Sequence, residues 1–287
     1  MNQKILDEAN KLIKKDFLNE TNLKGVSLYR ATQHVAKGPI TYDFCLIVVL
    51  QGKKIGHIPD KVFEYNSENY LVVPTTIPFE CETFASEEEP FIGMAIEIDI
   101  NLMQSIITTI DAESAKKCKT VHCGVFQDKI TEDIEDNIYR LLKVLQSPME
   151  SKILGEPILK ELYYRVATGE NAGFLHKMFL KRKKEARIAK SLKTIHDNFN
   201  KQLDIPSLAK TEDMSVSSFH THFKKITSYS PLQYIKKIRL NKAKDLIELE
   251  NFQVNSTAYA VGYESISQFS RDFKSYYGYP PKEAKPL

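Results

Sequence analysis

The sequence of 287 residues predicts an α+β protein of two domains. The first is an N-terminal β-barrel with accessory helices, and the second a C-terminal all-α domain holding two helix-turn-helix units. Three observations predict this. The length exceeds one typical domain, and a hydrophobic content of 42% is enough for two cores. The charge is unevenly divided: residues 1–181 hold 21 Lys/Arg against 26 Asp/Glu (net −5), and residues 182–287 hold 19 against 11 (net +8). Finally, one segment of the basic half occurs twice at an offset of 50 residues.

The elements follow in chain order. Residues 2–20 read as an amphipathic helix with Ile5, Ala9, Leu12 and Ile13 on one side. Short β-branched and aromatic runs at 26–31, 44–51, 53–58, 70–74, 79–84 and 91–98 then alternate with turn residues. This spacing suggests a small antiparallel barrel or sandwich. The run 44–50 is apolar at nearly every position, as in a strand covered on both faces. Further on, Ile134, Ile138, Leu141, Leu142 and Leu145 recur at helical spacing, as do Leu154, Ile158, Leu162 and Val166. Two helices joined through Ser147-Pro148 would pack on the barrel or on a second copy of the chain. Gly169 to Gly173 marks a break, and Lys181-Arg182-Lys183-Lys184 opens the basic region.

The repeat pairs Ser215-Val216-Ser217-Ser218-Phe219-His220-Thr221-His222-Phe223-Lys224 with Ser265-Ile266-Ser267-Gln268-Phe269-Ser270-Arg271-Asp272-Phe273-Lys274. Each copy opens on a Ser suited to N-capping. Each then sets an apolar face: Val216, Phe219 and Phe223 in one, Ile266, Phe269 and Phe273 in the other. Short helices are expected before each copy, at 206–212 and 254–261, followed by tight turns. Gly262 suits the positive φ such a turn often needs, and Asp213 tolerates it less comfortably. Ser230 and Pro231 would start a linking helix whose apolar face is Ile235, Ile238, Leu246 and Ile247.

Helix, tight turn and a second helix with a polar outer face suit the major groove of DNA. The free sides carry Ser217, Ser218, His220, Thr221 and Lys224, then Ser267, Gln268, Arg271 and Lys274. Gln pairs bidentately with adenine and Arg with guanine, whereas Lys224 and Lys274 suit phosphates. Lys236 and Lys237 on the linking helix add charge for the backbone. A rigid linking helix would let one chain read two successive grooves about 34 Å apart.

Residues 185–283 resemble the DNA-binding domain of the AraC/XylS family of bacterial transcription regulators. The resemblance rests on Leu208-Ala209, Met214-Ser215, Phe219, Phe223-Lys224, Ser230-Pro231-Leu232-Gln233-Tyr234, Arg239-Leu240, Ala243, Gly262-Tyr263, Ser267-Gln268-Phe269, Phe273-Lys274 and Pro280-Pro281. Tyr29-Arg30, Val49-Leu50-Gln51-Gly52-Lys53, Val62-Phe63-Glu64-Tyr65 and Tyr70-Leu71-Val72-Val73 are similar to the N-terminal domain of one subgroup, which is cupin-like. The resemblance implies an effector-sensing and dimerisation domain at 1–173, a connection at 174–184 and a DNA-binding domain at 185–287. It implies promoter DNA as partner, usually activation with RNA polymerase, a small-molecule effector and a possible homodimer. Base-reading positions would be Ser217, His220 and Thr221, then Ser267, Gln268 and Arg271. Backbone contacts fall to Ser218, Lys224, Lys236, Lys237 and Lys274. Two departures stand out: Asp213 replaces the first turn glycine, and Ser228 replaces the glycine common before Ser-Pro.

Other classes find less support. The longest purely aliphatic run, Leu46 to Leu50, is far short of the roughly 20 residues of a membrane span. The charged N-terminus has no signal-peptide core, so a cytoplasmic protein is expected. The four cysteines are too few for a disulfide scaffold. The alternative is a cupin-type metal-dependent enzyme with a basic helical tail. It needs converging His and carboxylate ligands. Only His34, His57, His122 and His176 precede the basic half, with no His-x-His pair among them. His57 and Cys45 are expected inside the barrel as packing residues, and Cys118, His122 and Cys123 lack a fourth zinc ligand. No metal, cofactor or catalytic residue is expected.

Overall fold

The structure is a computed structural model that describes residues 2–59, 61–75, 77–110, 125–179, 184–248 and 252–284. Cys118, His122, Cys123 and the basic residues 181–183 lie outside the described residues.

Among the described residues, the front half is built from ten strands and four helices. Helix α1 (Gln3–Leu12) buries Ile5 and Ala9 and ends well before residue 20. The expected helix is cut short because 17–20 form strand β1 (Phe17–Glu20), entered through Phe17 at φ 66°. The other strands are β2 (Val26–Ala31), β3 (Val35–Tyr42), β4 (Cys45–Gln51), β5 (Lys53–Ile58), β6 (Lys61–Asn66), β7 (Asn69–Val73), β8 (Ile77–Phe84), β9 (Phe91–Glu97) and β10 (Phe126–Lys129). They form a six-stranded sheet in the order β1-β2-β9-β4-β7-β10 and a four-stranded sheet in the order β3-β8-β5-β6. Every pairing is antiparallel.

The central strand β4 shows why both faces had to be apolar. Cys45, Ile47 and Val49 point into the space between the sheets, against Phe63, Tyr65, Phe79 and Cys81. Leu46, Val48 and Leu50 point the other way, toward the helices. That second core is closed by α2 (Ile100–Thr109), α3 (Glu132–Val144) and α4 (Pro148–Ala167). Thr131 and Ser147 cap the last two by accepting the N–H groups of Ile134 and Glu150.

Strand β5 corrects one expectation. Its buried residues are Lys54, Gly56 and Ile58, so the pleat turns His57 to the outer face, opposite Glu80 and the exposed Val62. Cys45 does lie between the sheets.

Helix α5 (Gly173–Phe179) continues the chain where a connection was expected. Its neighbouring residues serve two cores: Leu175 is buried with the barrel helices, and Phe174 with the helices that follow. The back half holds α6 (Lys184–Asp197), α7 (Ile205–Thr211), α8 (Val216–Thr227), α9 (Pro231–Glu248), α10 (Val254–Ala260) and α11 (Ile266–Tyr277), then a short 3-10 turn, Pro281–Glu283. The long helix α9 also joins two cores. Ile235 and Ile238 belong to the first unit, and Leu240, Ala243 and Ile247 to the second. Helices α9 and α11 rest on β3, and α9 also on β8, so the second unit leans on the barrel.

Candidate nucleic-acid interface

Each helix-turn-helix unit is built on the same backbone. The turn after α7 bonds Met214 N–H to Ala209 O at 2.9 Å, and the turn after α10 bonds Tyr263 N–H to Ala258 O at 2.9 Å. Asp213 (φ 50°) and Gly262 (φ 84°) occupy the left-handed position. The second turn is one residue longer, through Glu264. Helices α8 and α11 then begin alike, with Ser215 Oγ accepting from Ser218 N–H and Ser265 Oγ from Gln268 N–H, both at 3.3 Å. They also end alike: Ser228 and Gly278, again left-handed, donate N–H to Lys224 O and Lys274 O at 2.8 Å.

The buried faces are aromatic. The rings of Phe219 and Phe223 lie tilted with centres 5.5 Å apart, and those of Phe269 and Phe273 meet edge to face at 5.7 Å. Val216, the first residue of α8, departs from the expected face: it is 43% exposed. Its counterpart Ile266 is half-buried.

The opposite faces are polar. Ser217, Thr221, Lys224, Ser267, Gln268, Arg271 and Lys274 are exposed, and Ser218 and His220 half-exposed. Thr221 Oγ1 donates to Ser217 O at 3.0 Å, so its hydroxyl is turned to its own helix. Lys236 is exposed but pairs with Asp272 at 2.7 Å, tying the linking helix to α11.

Lys237 departs further from expectation. Its ammonium lies 4.2 Å from the centre of the Tyr276 ring and 4.8 Å from that of Tyr229. Burial pulls its pKa below the ordinary lysine value, with the nearby charge of Glu80 opposing. In this arrangement it belongs to the contact with the barrel and is not offered to a phosphate.

The structural roles of three further basic residues, one of them Arg239 of the family motif, were not foreseen in the sequence. Arg239 donates to Phe199 O at 2.7 Å and Lys201 O at 2.8 Å, holding the end of the α6 region against α9. Arg187 donates to Glu212 O at 2.9 Å and Asp213 O at 3.0 Å, clamping the first turn. Carbonyl acceptors leave no trace in sequence, so neither clamp's partners had a signal. Lys54 lies between the sheets, 5% exposed, with its ammonium 4.4 Å from the ring of Tyr29 and 4.7 Å from that of Phe91. Burial lowers its pKa, and no carboxylate pairs with it among the described residues.

Among the described residues, no group of three or more His, Cys, Asp or Glu is placed to hold a metal ion. No described helix is long and apolar enough to cross a membrane.

Comparison with known proteins places this geometry in a family. The family described as AraC-type transcriptional regulator N-terminus matches residues 22–174, and a helix-turn-helix domain family matches 208–285. The raffinose operon transcriptional regulatory protein RafR of Pediococcus pentosaceus is 26% identical over 217 residues, covering 74% of this chain and 73% of RafR. The regulator YobQ of Bacillus subtilis, described as uncharacterised, is 29% identical over 126 residues, 43% of this chain. The chain spans about half the length of YobQ (52%) and less of several other curated relatives, such as 35% of a RhaS activator. Among solved structures, fatty-acid-bound ToxT of Vibrio cholerae superposes with a TM-score of 0.65 at 13% identity, over 90% of this chain and 93% of ToxT. That likeness shows the shared two-domain fold. The N-terminal match alone covers more than half of the sequence and the helix-turn-helix match most of the rest, so the chain belongs to the AraC/XylS family of DNA-binding transcriptional regulators.

Proposed function

We propose that this protein is a cytoplasmic, sequence-specific regulator, and an activator that works with RNA polymerase, reading two successive major grooves of promoter DNA. The observation that carries this reading is the pair of recognition helices, capped alike and turning polar faces outward. The base-reading positions are Ser217, His220, Thr221, Ser267, Gln268 and Arg271. The backbone positions are Ser218, Lys224, Lys236 and Lys274. The second helix supplies the sharper reading, because Gln268 and Arg271 present bidentate groups with no side-chain partner among the described residues.

In this reading residues 1–173 sense a small molecule and can pair with a second copy, and 185–287 bind DNA. Two observations support a small acid as effector. Lys54 is a cation in the barrel interior without a carboxylate partner among the described residues. Solved ToxT structures are described as bound to an unsaturated fatty acid and to a naphthalenyl-butenoic acid. Nothing among the described residues favours the metal-dependent enzyme alternative.

The test is selection of bound fragments from the source genome, then gel shifts on the selected site. Arg271→Ala should relax discrimination at one base pair by about 1–3 kcal/mol, and Thr221→Ala by less. Unchanged selectivity in Arg271→Ala would remove that residue from the reading, and failure to select any site would remove the function.

A further inference from the structure

The two recognition helices open on the same pattern and present different chemistry. In each, a capping serine is followed by a β-branched apolar residue, Val216 in α8 and Ile266 in α11. Ile266 packs on the core of the second unit. Val216 is 43% exposed, and Ser215 and Ser217 on either side of it are exposed as well.

A single exposed valine is ordinary on a protein surface. Neither packing nor helix stability accounts for this one. It lies outside the core formed around Phe219 and Phe223. A β-branched residue also favours a helix less than alanine does. What distinguishes Val216 is its place as the first residue of the recognition helix. The N-terminal part of such a helix is the part that meets base edges in the major groove.

The hydroxyls near it in sequence already have partners. Ser215 Oγ accepts the N–H of Ser218 at 3.3 Å and lies 3.3 Å from Ser217 Oγ. Thr221 Oγ1 donates to Ser217 O at 3.0 Å. Helix α8 also has no Arg, Asn or Gln in its sequence, so it lacks the side chains that grip a base by two hydrogen bonds. Helix α11 has Gln268 and Arg271 where α8 has Ser218 and Thr221. Apolar contact is therefore what α8 can add to recognition. Thymine shows an apolar group in the major groove, its 5-methyl, and apolar side chains read it.

We propose that Val216 reads the 5-methyl group of a thymine in the groove entered by α8. The first unit then selects its half of the site by apolar contact, and the second selects its half by hydrogen bonds. This rests on the groove-reading function proposed above, and adds to it a residue and the base that residue selects.

The test uses the full chain and the DNA site selected from the genome. Each thymine of the site is replaced in turn by deoxyuridine, which lacks only the 5-methyl, and binding is measured by gel shift. At one thymine the loss of the methyl should weaken wild-type binding about threefold to fivefold, as expected for one buried methyl. That thymine should lie about 10 base pairs, one helical turn, from the base pair at which Arg271→Ala relaxes discrimination. In Val216→Ala the same replacement should cost nothing, while the other thymines behave as in the wild type. Val216→Ile should restore the dependence. The substituted side chain is exposed, and alanine suits a helix, so folding is not at risk. Methyl dependence that persists unchanged in Val216→Ala would overturn the proposal, as would a site with no methyl-dependent thymine. So would a Val216-dependent thymine in the same half of the site as the Arg271 base pair. Each of these leaves the regulator reading standing, because a site has been selected. Failure to select any site would remove both.

Discussion

The two helix-turn-helix units meet the same two backbone demands with different residues. Each needs a left-handed residue in its turn and another after its recognition helix. The second unit uses Gly262 and Gly278, and the first uses Asp213 and Ser228. Glycine adopts φ near +80° without steric cost, whereas an L-residue there costs roughly 1–2 kcal/mol. The second unit is also more aromatic: Tyr263, Phe269, Phe273, Tyr277 and Tyr279 make consecutive ring contacts. The first unit stores strain at both ends of its reading element and depends on Arg187 to hold its turn. The difference suggests a division of labour, in which a fixed second unit reads bases by hydrogen bonds and a more yielding first unit receives control.

The strongest way to break this contrast is to load the second unit with the first unit's burden. In Gly262→Ala the added Cβ would meet Asn200 O at 2.5 Å, on top of an unfavourable φ of +84°. Backbone would have to move, so unfolding of the full chain should be easier by about 2–4 kcal/mol, with DNA binding lost in proportion. Asp213→Ala, at the matched position, keeps a Cβ that is already accommodated and should change stability by less than about 1 kcal/mol. Chemical denaturation followed by circular dichroism measures both. Equal losses would mean that the two turns are equally strained and would end the proposed asymmetry.

A middle-sized effect tests whether the basic residues divide as the geometry has them. Lys224 and Lys274 occupy matched positions and are both exposed. Replacing either with Ala should weaken binding to all sequences alike and lower the salt slope by about one. Lys237→Ala should leave the slope unchanged, because that ammonium is covered by Tyr229 and Tyr276. A flattened slope in Lys237→Ala would show that the contact with the barrel opens when DNA binds.

These cases also show what was legible in the sequence. The repeat exposed the recognition helices, their serine caps and Asp213 in the place of Gly262, because two copies provide an internal reference, whereas the departure at Ser228 was read from the family resemblance. Strands β2 and β5 stood out through alternation and turn residues. Strand β3 contains Gly38-Pro39, and β6 carries Lys61, Glu64 and Asn66, so neither looked like a strand. Each forms through pairing with a neighbour, which local composition does not record. Charge was the commonest source of error. A lysine reads as surface, yet Lys54 is inside the barrel and Lys237 is under two rings.

The smallest effect approaches the comparison from the other side, by lending the first unit a residue of the second. Ser228 lies at φ 64° after α8, and its N–H already caps Lys224 O at 2.8 Å. Ser228→Gly keeps that bond and removes the cost of holding an L-residue left-handed, although glycine also gives the unfolded chain more freedom. The first effect should win, for a net gain of about 0.5–1 kcal/mol. The informative readout is DNA binding in the same variant. If strain in the first unit serves control, stabilising its helix end should raise DNA affinity in the absence of any ligand and shrink the response to one. Added stability with an unchanged ligand response would show that Ser228 is a tolerated imperfection, and that the control contact is confined to the Arg187 clamp on the first turn.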